Sequence, residues 1–282
     1  MPFAQRAAAV ITGTACGVGF GGVLYSSLVV ASVLSIPVLY SESAIKAITM
    51  GVTAFMVPAS LALGGVKVTG TGQEHAKALE KTGYILIANH ASNLDPLALM
   101  QVLGRRDLAF VAKVETLRRP LLGRIIASIP WLPVERESLA ALKKLTELVR
   151  AKQKTGWVPI LAVFPEGTRS EDGKLNAFKV GPFMLAAQLG IPILPAVIRG
   201  TFPRHKRNAF MVFPGPVRVD IHPPIFPPKL EGKGLDLKVV DAAAALKKQA
   251  EAIFKAVPDL TDASDAGAVD RESSGRSESR SA

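Results

Sequence analysis

The chain has 282 residues, 49% of them hydrophobic, and a formal net charge of +11. That length and apolar content suffice for one large core plus an anchoring segment and exclude a wholly disordered chain, while the excess of Lys and Arg calls for an anionic partner: nucleic acid, an acidic membrane surface or a phosphorylated substrate. A single cysteine, Cys16, excludes a disulfide framework and a Cys-based zinc site and is compatible with a reducing compartment.

In chain order, residues 7–41 contain no charged side chain, and about 20 apolar residues are enough to cross the hydrocarbon core of a bilayer. The expectation is a helical membrane anchor. A cleaved signal peptide would use the short stretch with Arg6, but the apolar run is too long and lacks a small-x-small cleavage site; helices buried in a soluble fold are the bland alternative. A second weakly charged stretch, residues 47–66, holds Gly51, Pro58 and Gly64, which fits a helix lying in the membrane interface better than a straight span.

After Gly70 the pattern changes to short apolar runs separated by polar, helix-compatible stretches, which predicts an α/β domain. Residues 84–88, 109–112, 160–164, 193–198, 209–213 and 217–221 are rich in Val, Ile, Leu and Phe. Several run continuously rather than alternating, as strands buried on both faces do. The expected core is a mixed, largely parallel central sheet flanked by helices. Leu139, Leu142, Leu145 and Val149 recur at helical spacing, with Lys143, Lys144, Glu147 and Arg150 on other faces, and predict an amphipathic helix ending near Gly156. Residues 235–257 predict another, Ala-rich one. Beyond it the chain turns to Ser, Asp, Glu, Gly and Arg, too polar to offset the entropy of ordering. The expected organisation is therefore an anchoring segment over 1–66, a catalytic domain over 67–257 and a disordered tail over 258–282.

The most informative segment is Asn89-His90-Ala91-Ser92-Asn93-Leu94-Asp95-Pro96, directly after the apolar run 84–88. Loops at the carboxyl ends of sheet strands are where open α/β folds gather reacting groups. Histidine titrates near neutrality and suits removal of a hydroxyl proton. A carboxylate five residues on, Asp95, can fix the tautomer of His90 and stabilise the imidazolium. The bland reading is an ordinary helix N-terminus, which Asn, Ser and Asp before Pro also compose. A second segment, Phe164-Pro165-Glu166-Gly167-Thr168-Arg169-Ser170, follows another apolar run. Its arginine carries a planar fork suited to phosphate oxygens, and Gly167 lets backbone approach a ligand closely.

These two segments resemble the signature motifs of the PlsC-like glycerolipid acyltransferase family, which includes the 1-acylglycerol-3-phosphate acyltransferases. Those motifs are a His, four residues and an Asp, then a Phe-Pro-Glu-Gly-Thr-Arg run. Ile129-Pro130-Trp131-Leu132-Pro133-Val134-Glu135-Arg136 is similar to the family's second block, although Trp131-Leu132-Pro133 interrupts the usual short run to the arginine. Ile191-Pro192-Ile193-Leu194-Pro195-Ala196-Val197 is similar to the fourth block, and all four occur in the family's order across residues 84–201.

The resemblance implies transfer of a fatty acyl group from acyl-CoA or acyl-carrier protein to the free hydroxyl of 1-acyl-glycerol-3-phosphate, with His90 as general base, Asp95 orienting it and no covalent acyl-enzyme. It implies that Arg169, Lys113 and Arg136 hold the acceptor phosphate, and that Glu166, Gly167 and Thr168 shape the acceptor site. No metal and no cofactor are implied; the partners are a lysophospholipid, the acyl thioester, membrane lipids and acyl-carrier protein. The expected location is the inner or plasma membrane, with the catalytic domain on the cytoplasmic side.

Ser92 lies within the first motif but lacks the Gly-x-Ser-x-Gly context of a nucleophile. His75, His205 and His222 stand outside any motif and read as surface or structural. For Arg204-His205-Lys206-Arg207 and Arg118-Arg119, solvated loops and contacts to anionic lipid headgroups are equally open. Only two Trp and three Tyr are present, without the aromatic interleaving that stacks on bases, so nucleic acid is not an expected partner. A metal-assisted hydrolase built on His90 and Asp95 would need further ligands, and no His-x-x-x-His, Cys pair or carboxylate cluster stands near. A non-catalytic lipid-binding relative would predict damage to the motifs, yet His90, Asp95, Glu166 and Arg169 are intact.

Overall fold

A computed structural model describes residues 15, 42–104, 108–113, 131–134, 139–207, 209, 211–230 and 235–261. Helix α1 (Glu42–Leu63) is followed by β1 (Val66–Thr71), α2 (Gln73–Ala78), β2 (Tyr84–Ala88), α3 (Asp95–Leu103), β3 (Ala109–Lys113) and β4 (Trp131–Val134). Then come α4 (Leu139–Lys154), β5 (Ile160–Val163), α5 (Gly181–Leu189), β6 (Ile193–Arg199), α6 (Thr201–Arg204), β7 (Gly215–Ile221), α7 (Leu235–Lys255) and α8 (Pro258–Thr261).

The strands form one sheet in the order β1-β7-β6-β2-β5-β3-β4. Every neighbouring pair is parallel except β6 with β7. The mixed, largely parallel sheet read from the sequence is therefore present.

Continuous apolar strands are explained by burial on both faces. Tyr84, Leu86 and Ala88 of β2 pack on one side with Leu61 of α1 and Ala98 and Leu99 of α3. Ile85 and Ile87 point the other way, to Val149 of α4, Phe183 and Leu185 of α5 and Phe254 of α7. All five β2 residues are at most 1% exposed, and each large side chain buried in this way contributes about 1.5–3 kcal/mol.

Four sequence expectations change. Residues 209–213 do not form a strand: where the backbone is described it is irregular, and Phe213 N–H donates to the Arg204 carbonyl (2.8 Å). β7, into which this stretch leads, already has both its edges paired, with β6 on one side and β1 on the other. The apolar character of this stretch is used instead by Val212, 1% exposed in the core. Second, β1 was not expected as a strand; it sits at the sheet edge and buries mainly alternate residues, so its sequence is not a continuous apolar run. Third, β4, within the second block, forms an edge strand containing Pro133, a position where proline is tolerated.

Fourth, the ordered chain passes the expected boundary at 257. Pro258 opens α8 rather than ending structure, as its fixed φ allows at a helix start, and Leu260 is buried while its carbonyl accepts from Leu175 N–H. Residues 262–282 of the expected tail, and the apolar run 7–41 apart from Ala15, lie outside the described residues. Among the described residues no helix is long and apolar enough to cross a membrane. Helix α1 covers most of the second weakly charged stretch and buries Val57 and Leu61 in the core while Phe55 stays exposed.

Two strands from β2, at about the height where the first signature loop begins, Asp220 accepts hydrogen bonds from Thr71 Oγ1 (2.7 Å), Arg199 Nη2 (2.6 Å) and Arg218 Nε (2.8 Å). Burial opposes its ionisation, but the hydrogen bonds from Thr71, Arg218 and Arg199 outweigh it and hold the carboxyl below its ordinary value. A depressed carboxyl pKa contributes stability that is complete above the unfolded value and lost as pH falls through the folded one. Asp220→Asn is therefore expected to lower the thermal midpoint by several degrees at pH 7, through loss of about 1–3 kcal/mol. The deficit should shrink near pH 3; a gap that persists there would count against the ionised pairing.

Candidate active site

Strands β2 and β5 are neighbours and parallel, with Tyr84 opposite Ile160. The chain leaves β2 toward α3 on one face of the sheet and leaves β5 toward α5 on the other. Connections diverging in this way open a crevice at the strands' carboxyl ends. Both signature loops enter it.

The first loop starts with Asn89, which continues the sheet with its side chain. Its Nδ2 donates to the Ile198 carbonyl (2.8 Å) and its Oδ1 accepts from Ile198 N–H (2.8 Å). The backbone is thus released from β2 at His90 while remaining tied to β6.

Asp95 is fully buried, at the first residue of α3 with Pro96 following. The helix-start reading and the catalytic reading of this segment therefore describe one object. The carboxylate sits at the positive end of α3, where an anion is favoured. Its Oδ2 accepts from Ala91 N–H (2.7 Å) and Ser92 N–H (2.7 Å) and lies 2.8 Å from His90 Nδ1. Two backbone donors fix the carboxylate, and the carboxylate fixes the ring. With Nδ1 engaged, Nε2 is left to exchange a proton. The His90 side chain is 19% exposed, and its ring stacks on Phe164 at 4.0 Å between centroids and 16° between planes. Phe164 was expected to end a strand; it leaves β5 one residue early to form this wall.

The second loop turns tightly: Gly167 N–H donates to the Phe164 carbonyl (3.0 Å), and Gly167 adopts φ 70°, a left-handed value that disfavours any side chain. This turn directs Glu166 inward. Its Oε1 accepts from His90 N–H (2.6 Å) and its Oε2 from Asn176 N–H (2.9 Å). The carboxylate therefore holds the histidine loop in place from beneath. Burial raises its pKa above the ordinary carboxylate value, against the lowering effect of the His90 and Asn176 backbone hydrogen bonds. In the reverse direction Ser170 N–H donates to the His90 carbonyl (2.8 Å), so His90 is gripped by the second loop at both its backbone N–H and C=O.

Glu166→Gln preserves the shape but turns one acceptor into a donor that faces an N–H. The expected loss is about 1–3 kcal/mol, read as a thermal midpoint lower by several degrees; an unchanged midpoint would remove this bridge from the account.

Arg169 stands on the same side as the His90–Asp95 pair, its Nη1 donating to Asn93 Oδ1 (3.0 Å), so it ties the two loops across the crevice. Thr168 is exposed in the bend before it. Lys113 ends β3, parallel to β5, and so its backbone lies at the same carboxyl edge. Arg136 lies outside the described residues.

Sequence reasoning missed the side-chain work of Asn89, Asn93, Phe164, Asn176 and His205. The first three lie inside the two motif segments, which is the one signal that could have pointed to them. His205, read as surface or structural, is buried against Ser92, whose hydroxyl donates to the His205 carbonyl (2.8 Å). His222 is partly buried, and burial lowers its pKa.

Residues 67–199 match the family model described as Acyltransferase. The chain is similar to a 1-acyl-sn-glycerol-3-phosphate acyltransferase of Limnanthes douglasii, 36% identical over 162 residues that cover 57% of this chain and 55% of that protein. It is also similar to the 1-acyl-sn-glycerol-3-phosphate acyltransferase alpha of Mus musculus, 31% identical over 169 residues, 58% of this chain and 56% of that one. The chain spans about half the length of the relatives it matches. Its fold is like that of the crystal structure of the 1-acyl-sn-glycerophosphate (LPA) acyltransferase PlsC from Thermotoga maritima, with a TM-score of 0.59 and 24% identity over 83% of this chain and 93% of that one.

Proposed function

The chain belongs to the PlsC-like acyltransferase family, and from that premise we propose that it transfers a fatty acyl group from an acyl thioester to the free hydroxyl of 1-acyl-glycerol-3-phosphate, forming phosphatidic acid. The observation that carries the reading is the 2.8 Å contact between His90 Nδ1 and a fully buried Asp95 carboxylate that backbone donors hold from behind.

The chemistry follows from that arrangement. His90 Nε2 takes the acceptor's hydroxyl proton as the oxygen attacks the thioester carbonyl carbon. Asp95 stabilises the imidazolium that results. The tetrahedral intermediate collapses with cleavage of the C–S bond, and the imidazolium returns the proton to the departing thiolate. The acyl group passes directly between substrates: the Ser92 hydroxyl gives its proton to the His205 carbonyl (2.8 Å), a closer partner than His205 Nδ1 at 3.5 Å, and accepts from Leu94 N–H. Arg169 anchors the acceptor's phosphate by charge-assisted hydrogen bonds, joined by Lys113 and Arg136. The donor is acyl-CoA or acyl-carrier protein. Residues 7–41 attach the enzyme to the inner or plasma membrane, with its catalytic domain on the cytoplasmic side.

A panel assay tests the reading. Membranes containing the protein are offered both donors against several lysolipids, and the products are identified by mass spectrometry. Phosphatidic acid from lysophosphatidic acid is the expected product. Acylation of an amine-containing lysolipid, with none of lysophosphatidic acid, would overturn the substrate assignment and leave the chemistry standing.

A further inference from the structure

The run Arg204-His205-Lys206-Arg207 follows β6, the strand beside β2, and its four side chains go to four places. The Arg204 guanidinium lies against Gly215 with Nη1 donating to the Pro214 carbonyl (3.0 Å). Lys206 Nζ sits 5.7 Å from the Phe202 ring centroid, and Arg207 pairs with Glu171 at 2.7 Å. His205 alone turns inward and is 7% exposed.

What it meets there is Ser92. The Ser92 hydroxyl donates its one proton to the His205 carbonyl (2.8 Å) and accepts from Leu94 N–H (3.2 Å). A second lone pair remains, and His205 Nδ1 lies 3.5 Å from this oxygen. The contact is attractive when Nδ1 carries the proton. Ser92 is thus held at its hydroxyl by the backbone carbonyl of residue 205, with the His205 ring as a second, longer contact, while its backbone N–H holds the Asp95 carboxylate at 2.7 Å. The next residue, Asn93, carries Arg169.

We infer that His205 is a positioning residue for the reaction: it locks the Ser92 turn, through which it fixes Asp95, the tautomer and aim of His90, and the placement of Arg169. Burial pushes the His205 imidazole below its ordinary value, and the nearby Arg169 charge pushes it further; in the neutral ring the contact uses the tautomer with its proton on Nδ1. The inference rests on the acyl-transfer reading above and assigns to that site a residue outside both signature loops.

The test compares His205→Leu, which fills space without a donor, His205→Asn, which offers an amide donor near the position of Nδ1, Ser92→Ala, and the Leu/Ala double variant. Phosphatidic acid formation gives kcat and KM. The His90 Nδ1 proton, followed by NMR in protein labelled with ¹⁵N-histidine, gives a readout independent of turnover. His205→Leu and Ser92→Ala should each lower kcat by about 10- to 100-fold, as small misplacements of a reacting group do, and raise the acceptor's KM through the displaced Arg169. The double variant should lose no more than the worse single one, because both act on one turn, and His205→Asn should recover most of the rate. The His90 signal should shift or broaden in the Leu variant and return in the Asn variant.

An unperturbed His90 signal in both the Leu and Ala variants would overturn the inference, as would fully additive losses. Absence of acyl transfer in the unmodified protein would sink the functional reading alone, since the NMR comparison still decides whether His205 positions His90. If the Leu variant fails to fold, Ser92→Ala and His205→Asn carry the same decision.

Discussion

His90→Ala is expected to lower kcat for acyl transfer by about 10²- to 10⁴-fold, the range that a positioned general base supplies, while the protein stays folded. The ring is partly exposed and is not a core element; its main contacts are the face of Phe164 and one bond to Asp95. Removing it leaves the Asp95 carboxylate with the Ala91 and Ser92 donors still in place. The loss should fall on kcat rather than KM, because proton removal is demanded in the transition state and not in the bound ground state. Phosphatidic acid formation by the purified variant, with a thermal melt as control, checks this. Near-normal turnover would remove His90 as the base.

Asp95→Asn carries the second large effect, about 10²- to 10⁴-fold in kcat, by loss of the charge that orients and stabilises the imidazolium. Asparagine can keep its oxygen where Oδ2 now accepts three contacts. Its amide nitrogen then occupies the place of Oδ1, which is buried with no hydrogen-bond partner among the described residues. The local geometry can therefore survive while the negative charge does not. In the other orientation the amide would face two backbone N–H groups, each left unsatisfied at about 1–3 kcal/mol, and the ring would lose its acceptor. Either way turnover falls. A variant with wild-type kcat would show that the carboxylate is only a helix-start feature, the bland reading its sequence also permits.

The parts of the fold legible in the sequence are those whose physics is local. Strands β2, β3, β5 and β6 stand out because burial on both faces demands continuous apolar residues, and α4 and α7 because each has one solvated face. Edge strands β1 and β4 lack that signal. Helices α3 and α5 are apolar on most sides, and Pro near each start looks like a loop in sequence although it suits a first turn.

The site divides in the same way. His90 and Asp95 are five residues apart and could be paired by eye. The contacts that hold them cannot be read from spacing: Asn89 reaches Ile198 across 109 residues, Glu166 reaches His90 across 76, and Ser92 reaches His205 across 113. The apolar stretch 209–213 misleads for the opposite reason, since Val212 supplies core contact without joining a strand ladder.

The claim at the centre is that the His90–Asp95 pair activates the acceptor hydroxyl for direct attack on the thioester. Mixing the purified protein with excess acyl thioester, with and without lysophosphatidic acid, and following protein mass and lipid product together tests it most directly. Phosphatidic acid should form only when both substrates are present, with the protein mass unchanged throughout. An acylated protein that builds up without acceptor and discharges to phosphatidic acid at the rate of turnover would contradict it.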